Sequence, residues 1–367
     1  MPDLRTTPLH DRHAALGASF TDFGGWSMPV RYTSDLAEHH AVRQAAGLFD
    51  ISHMAEFTVR GVGAGAVLDH LLAGRISTMR VGKAKYSLLL DENGGVIDDV
   101  IVYRRGEDDF LVISNAGNRA LVAAEFDRLV GDIEIADISD DHALIAVQGP
   151  RAREIVEATA GIDDVTPSLA DLGYYAWSGG TFRGDDLFIA RTGYTGEDGF
   201  ELLVANALAP ALWDALLASG EPLGLVPAGL AARDTLRLEA GMPLHGHELS
   251  TDILPAQAGL GRVVAMDKDD FVGKDALAAA SDDLPVLVGL TAEGRRAGRA
   301  GYAVLDAEGA PVGEITSGAL SPTLGHTIAL AFVAPASAAV GTDLLIDVRG
   351  TRIPATVTAL PFYRRNA

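Results

Sequence analysis

From Pro285 to the C-terminus the chain is written in short apolar runs at 286–290, 303–305, 312–316, 328–333, 344–348 and 355–359, separated by turns rich in glycine, proline and serine. Runs of this length are too short to be helices with a buried face, and their β-branched content suits a pleated surface. Six of them at this spacing predict a small closed barrel or sandwich. We therefore place a domain boundary near residue 280, with 281–367 as a β-barrel domain and 1–280 as the body of the protein.

Residues 1–280 read differently. The first 33 residues mix glycine, proline and aromatic side chains, which predicts an ordered but irregular segment. Ser34 is a candidate N-cap for a helix over 34–46, with Gly47 as its stop. Helices are also predicted at 64–72, 118–130, 152–159 and 209–218. The helix at 118–130 should bury Leu121, Val122, Phe126, Leu129 and Val130. Strands are predicted at 56–60, 110–114, 133–138, 143–147, 174–177, 187–191 and 200–204. Several strand pairs are joined by short turns, so the fold class is α+β, in two intertwined domains with largely antiparallel sheets, rather than a doubly wound parallel fold.

One hairpin carries unexpected chemistry. Tyr86-Ser87-Leu88-Leu89-Leu90 and Val96-Ile97-Asp98-Asp99-Val100-Ile101-Val102-Tyr103 flank an Asn93-Gly94-Gly95 turn, so two adjacent acids lie in the second strand. Strand side chains alternate, so the two acids face opposite ways, and Asp99 shares its face with Ile97, Ile101 and Tyr103. Taken locally, one acid reads as solvated at a frayed strand start while the other points into whatever the sheet covers.

Composition narrows the function classes. A chain of 367 residues with 48 % hydrophobic content can bury more than one core. A formal net charge of −21 argues against nucleic acid or an anionic membrane as the main partner. Lys83, Lys85, Lys268 and Lys274 are the only lysines among the 29 basic residues, so an anion site here would be built from arginine. The chain has no cysteine, which excludes disulfides, thiolate nucleophiles and cysteine-ligated metals. The N-terminus has no signal-peptide pattern and no run is long enough to span a membrane, so a soluble cytoplasmic protein is expected.

Several motifs compete for attention. Gly61-Val62-Gly63-Ala64-Gly65-Ala66 fits a dinucleotide fingerprint, but no strand ending in an acid follows about 20 residues on, so it reads as a turn into a helix. His245-Gly246-His247-Glu248 has poor spacing for metal, with no third ligand nearby. His53 and the pair His39-His40 read as surface or satisfied structural histidines. The serines of 317–322 lack a nucleophile elbow. The loop Arg191-Thr192-Gly193-Tyr194-Thr195-Gly196-Glu197-Asp198-Gly199-Phe200-Glu201 is more suggestive. Its glycines would let backbone approach a ligand, and Tyr194 with Glu201 offers a ring and a carboxylate to a flat heterocycle with an amidine-like edge. In Gly229–Glu239, Arg233 and Arg237 stand four apart on one helical face, the usual mark of a solvated salt-bridge stripe.

In order along the chain, Asp22-Phe23-Gly24-Gly25-Trp26, Gly47-Leu48-Phe49-Asp50-Ile51-Ser52-His53-Met54, the Gly94–Asp99 hairpin, Gln148-Gly149-Pro150, Arg191–Glu201, Gly229–Glu239, Phe271-Val272-Gly273-Lys274, Ser321-Pro322-Thr323-Leu324-Gly325 and Pro361-Phe362-Tyr363-Arg364 resemble the aminomethyltransferase (T-protein) family of the glycine cleavage system. Ala55 departs from the pattern, since many relatives carry glycine there. The resemblance implies a folate enzyme with a C-terminal β-barrel. Its reaction passes the methylene unit of an aminomethyl-dihydrolipoyl carrier protein to tetrahydrofolate and releases ammonia, with no metal. It implies Asp99 as the catalytic acid, and Met54, Tyr86, Tyr103, Asn115, Tyr174, Tyr194, Glu201, Arg233, Tyr363 and Arg364 as the folate pocket. A related tetrahydrofolate-dependent demethylase, or a non-enzymatic folate-binding protein, is the alternative; the latter group carries a cysteine signature that this chain lacks.

Overall fold

A computed structural model describes residues 4–129 and 132–365. The chain divides into two compact units, each discontinuous in sequence. The first comprises Met1–Leu68, Ile76–Tyr86 and Val100–Asp234, and the second Asp69–Arg75, Ser87–Asp99 and Thr235–Ala367.

The first unit is organised on a seven-stranded sheet. Its strands run, in spatial order, Ile162–Thr166, Trp177–Phe182, Asp185–Ala190, Gly199–Ala205, His142–Gln148, Ala46–Asp50 and Leu225–Pro227. All neighbours are antiparallel except the last pair, which is parallel. Ile145, Val147, Leu202 and Val204 project from the central strands onto Leu212, Trp213 and Leu216 of the helix Ala209–Gly220, all essentially without solvent contact. Burying such side chains is the main stabilising term, at roughly 1.5–3 kcal/mol each.

A five-stranded sheet follows the order Ala84–Leu90, Val96–Gly106, Asp109–Ser114, Ala55–Arg60 and Glu134–Asp137. In the second unit, Val286–Ala292, Thr327–Val333, Pro311–Leu320, Ala303–Leu305, Asp343–Val348 and Thr351–Thr358 close into a six-stranded antiparallel barrel. Every second residue of these strands points inward, as in Val288, Leu290 and Ala292, or Leu344, Ile346 and Val348. Closure removes the exposed edges that six short strands would otherwise present. The α+β class, the antiparallel sheets and the barrel are as the sequence implies.

Local departures have physical causes. The helix capped by the Ser34 side chain, which accepts from the Ala37 N–H, ends at Gln44 instead of 46. Ala46 and Gly47 instead open a fully buried strand, because the sheet pairing of Gly47 with Gln148 outweighs helical propensity. The N-terminal segment contains a two-stranded hairpin, Ser19–Phe23 with Trp26–Arg31, and a short helix, His10–Ala15. The helix expected at 118–130 runs Arg119–Asp127 after a 3₁₀ turn; Val122 and Phe126 are buried, but Leu121 is 56 % exposed. Residue 130 and the first three residues lie outside those described. The strand expected at 174–177 begins instead at Trp177, after a Tyr175 held at positive φ. The Gly61–Ala66 motif is a turn with Gly61 and Gly63 at positive φ, leading into the helix Ala64–Leu71 beside an antiparallel sheet. Among the described residues no helix is long and apolar enough to cross a membrane.

Candidate active site

The glycine-rich loop 191–201 is tied down by contacts that the sequence only half shows. Two of its glycines make room for a side chain of the protein itself. A Cβ at Gly193 or Gly199 would lie 2.0 or 2.3 Å from the side chain of Gln148. That amide donates to the Thr192 carbonyl (3.1 Å) and accepts from the Thr195 hydroxyl (3.0 Å). Arg43 fixes the other side by donating to the Thr195 carbonyl at 2.7 Å and to Glu197 at 2.9 Å. Gly196, at φ +80, supplies the turn.

This frame presents Glu201 from the strand Gly199–Ala205. Glu201 accepts a short hydrogen bond from the Thr192 hydroxyl, which is itself 2.9 Å from the Tyr103 hydroxyl. Burial pushes the Glu201 carboxyl above the ordinary range, against the opposing pull of the Thr192 hydrogen bond, the Arg233 charge and a Tyr103 hydrogen bond. Burial, and then the charge of Glu201, raises the Tyr103 phenol well above its usual value. It is therefore a neutral donor at any physiological pH. The Arg233 guanidinium lies 4.9 Å over the Tyr194 ring. Burial lowers its pKa while Glu201 opposes that shift, and its Nη1 is buried without a hydrogen-bond partner.

Arg233 is delivered by the helix Leu230–Glu239. The helix start is fixed by Glu38, which accepts from the Gly229 N–H (2.9 Å) and from the Tyr32 and Thr33 N–H groups (2.7 and 3.0 Å). The expected solvated stripe is absent. Arg237 is 2 % exposed and donates to Glu248 (3.1 Å), the Met242 carbonyl (3.2 Å) and the Ser317 hydroxyl (2.8 Å).

A ring face, a buried carboxylate, two hydroxyls and a guanidinium with an unmet donor thus converge in the first unit. They can accept from and donate to the edge of a flat polar heterocycle, which water would otherwise solvate. Among the described residues, no group of three or more His, Cys, Asp or Glu is placed to hold a metal ion. Glu248 Oε2 accepts from Arg237, and His247 Nδ1 is 2.9 Å from the Thr316 carbonyl.

Sequence comparison fits this arrangement. A family model described as the GCVT N-terminal domain matches residues 9–268, and the glycine cleavage T-protein C-terminal barrel domain matches residues 286–364. The chain belongs to the glycine cleavage T-protein family. It is 54 % identical to an aminomethyltransferase of Saccharopolyspora erythraea over the whole of both chains, and 55 % identical to one of Cutibacterium acnes, also over the whole of both. The crystal structure of the glycine cleavage system aminomethyltransferase T from Bartonella henselae superposes with a TM-score of 0.89 at 36 % identity, covering 98 % of each chain.

The remaining family positions fall as follows. Ala55 pairs with Ser114 across adjacent strands, so half-buried Met54 and Asn115 stand at the same sheet end. Tyr86 is half-buried in a strand whose first residue, Ala84, donates to the Tyr175 carbonyl at 2.9 Å. Tyr174 is 41 % exposed, its ring 5.1 Å from that of Tyr175, in a loop tied down where Arg191 donates to the Leu172 carbonyl at 2.6 Å.

In the second unit, the Tyr363 N–H donates to the Glu239 carbonyl at 2.8 Å, and Arg364 is exposed. Along the strand Val96–Gly106, one face carries Val96, Asp98, Val100 and Val102, all buried; the other carries Ile97, Asp99, Ile101 and Tyr103, with Asp99 half-exposed. The acids are thus not at a frayed end, since ordered strand precedes them. Of the two acids Asp98 is the fully buried one.

Thr192 and His53 were missed from sequence. Thr192 lies inside the loop that was singled out, and a hydroxyl there gives no pattern of its own. His53 was read as a surface or satisfied histidine, but it is 4 % exposed with Nδ1 buried and unpartnered.

Proposed function

We propose that the chain is the aminomethyltransferase of a glycine cleavage system, transferring the methylene unit of an aminomethyl-dihydrolipoyl carrier protein to tetrahydrofolate with release of ammonia. The observation that carries this reading is the full-length match to aminomethyltransferases, joined to a buried Glu201–Thr192–Tyr103 chain beside Arg233 and Tyr194.

As a substrate, tetrahydrofolate suits these groups. Glu201 can accept two N–H bonds from the amidine-like pterin edge, and the orphan Arg233 Nη1 can donate to a ring acceptor. Tyr194 supplies a face for the ring. Binding this edge relieves the cost of burying unpaired polar atoms, which is why the site should favour folate strongly over analogues lacking it.

We assign Asp99 as the catalytic residue. A half-exposed carboxylate on the Tyr103 face of its strand is available to orient folate and to leave its N5 free to attack the one-carbon unit. Of the two new bonds to the transferred carbon, the one to N5 replaces its bond to ammonia, and closure on N10 replaces the C–S bond and returns the dihydrolipoyl thiol to the carrier. The roles of Asp99, Tyr86, Met54, Asn115, Tyr174, Tyr363 and Arg364 rest on the family resemblance. The domain boundary near 280, between the folate-binding region and the barrel, rests on the change to short β-rich runs after Pro285. The lipoyl carrier is the partner this reaction requires.

The test is incubation with tetrahydrofolate and an aminomethyl-loaded lipoyl carrier, assaying ammonia and methylenetetrahydrofolate together. Equal yields of both products are expected. Folate binding with neither product would favour a demethylase with another donor.

A further inference from the structure

His53 is a buried titratable group of the first unit that the folate reading leaves without a task. It sits in the turn between the strands Ala46–Asp50 and Ala55–Arg60, directly before Met54. Its Nδ1 is buried and has no partner. A lone buried ring nitrogen costs free energy unless something satisfies it.

Its surroundings are specific. The ring of Phe23 meets it edge-on, with centroids 5.4 Å apart, although Phe23 is 38 % exposed. Phe23 comes from the tip of the N-terminal hairpin, and that tip is held in place. The Gly25 N–H donates to Asp22 at 2.9 Å, the Gly25 carbonyl accepts from the Arg5 N–H at 2.9 Å, and Gly24 lies against Gly117. Residues 115–117 follow the strand whose Ser114 pairs with Ala55, so the hairpin tip, His53, Met54 and Asn115 gather at one sheet end.

Two charges act on the imidazole. Burial disfavours its protonated form, and Arg233 adds to that effect; together they outweigh the opposing pull of Asp50, so the ring is neutral at physiological pH, with its pKa lowered to about 4. Asp50 is already engaged by His13 at 2.8 Å, by Thr7 at 2.6 Å and by the Ser52 N–H at 2.9 Å. A neutral imidazole within electrostatic reach of Arg233 can hydrogen-bond a ligand without repelling that guanidinium.

We infer that His53 is a further folate-binding residue, its Nδ1 meeting a polar edge of the ligand beside the group held by Arg233, with Phe23 as an apolar wall backing the ring. The inference rests on the folate reading of the same site. It treats the hairpin tip as part of the binding surface.

The experiment is calorimetric titration of 5-formyltetrahydrofolate into the full chain and into His53→Leu, His53→Asn and Phe23→Ala. Asparagine places a polar atom near the Nδ1 position, whereas leucine fills the space without one. His53→Leu should weaken binding about tenfold, the order expected for one lost hydrogen bond in a buried site. His53→Asn should stay within about threefold of wild type, and Phe23→Ala should lose roughly three- to tenfold. In turnover, the Leu variant should raise KM for folate while leaving KM for the carrier substrate unchanged. Wild-type affinity in His53→Leu would overturn the inference. Equal losses in the Leu and Asn variants would also overturn it, because they would show a packing role only. Phe23→Ala does not touch the core, and a wild-type affinity there would overturn the wall. If the unmodified protein fails to bind 5-formyltetrahydrofolate, the folate reading falls first and this inference with it.

Discussion

Arg233 and Arg237 stand one turn apart on the same helix and live in opposite circumstances. Arg237 spends its donors on Glu248, the Met242 carbonyl and Ser317. Nearby in the same unit, Glu239 is equally committed, accepting from the hydroxyls of Ser321 and Thr323 and from the Thr323 N–H. Arg233 keeps a buried nitrogen without a partner, and its surroundings repeat the pattern in His53 Nδ1. Folding by itself selects for the first arrangement, since each unmet buried polar group costs about 1–3 kcal/mol. The second persists where something other than folding satisfies those groups. Arg233 and His53 are such uncommitted groups at the candidate site, although Glu56 and Glu248 Oε1 show that an unmet buried atom does not by itself mark one.

The adjacent acids Asp98 and Asp99 repeat this contrast and give its largest test. Asp99→Asn should keep the fold and folate binding while cutting turnover by about 10²–10⁴, since it removes a positioned charge from a half-exposed face. Asp98 is wholly buried, on the strand face that carries Val96, Val100 and Val102. Asp98→Asn should therefore appear mainly as lower stability in urea, with much smaller loss of turnover per folded molecule. Near-normal turnover in the Asp99 variant, or equal turnover losses at both positions, would break the distinction.

Next in size is Arg237→Ala. It leaves Glu248 buried and unpaired, and should cost about 3–5 kcal/mol in urea unfolding. Arg233→Met removes a guanidinium with an unmet donor. It should leave stability unchanged or improved, and weaken folate binding by roughly ten- to a hundredfold. If Arg233→Met destabilises as much as Arg237→Ala, the two arginines are not different in kind.

How much of this was legible in the sequence depends on what each feature needs from distant residues. The barrel was legible because alternation and turn chemistry are local, and all six runs became its strands. The facing of Asp98 and Asp99 was legible for the same reason. The buried state of Arg237 was not, because its partners Glu248 and Ser317 are 11 and 80 residues away. The loop glycines were noticed for the wrong reason. Gly193 and Gly199 accommodate Gln148, a partner 45 or more residues off that no local pattern could name. Leu121 misled because helical periodicity identifies a face but not whether anything covers it. His53 gave no signal at all, since an unpartnered nitrogen is a property of the folded neighbourhood.

That neighbourhood has a measurable pH signature. Unfolded, His53 takes up a proton near pH 6.5; folded, it does so only at about 4. Between those values the unfolded chain binds more protons, so stability falls as pH falls. From pH 7 to pH 5 wild type should lose roughly 2 kcal/mol that His53→Leu does not. Parallel pH profiles from urea titrations of the two proteins would mean His53 is not held neutral by its burial.

The smallest expected effect probes an uncommitted group away from the folate cluster. Glu56 is fully buried and neither carboxylate oxygen has a partner. Burial, followed by the charge of Asp137, drives its pKa well above the carboxylate range, with Arg119 opposing and Asp140 adding to the rise. A raised carboxyl has the opposite linkage to His53. The folded chain retains a proton that the unfolded chain has lost, so stability declines as pH climbs above the ordinary carboxylate range towards the folded value. Glu56→Gln fixes the neutral shape. It should change stability by less than about 1 kcal/mol at pH 5 and be the more stable protein at pH 9. A Glu56→Gln variant that is less stable than wild type at pH 9 would show that Glu56 is ionised and satisfied there. Glu56 would then belong with the committed groups such as Arg237 and not with Arg233 and His53.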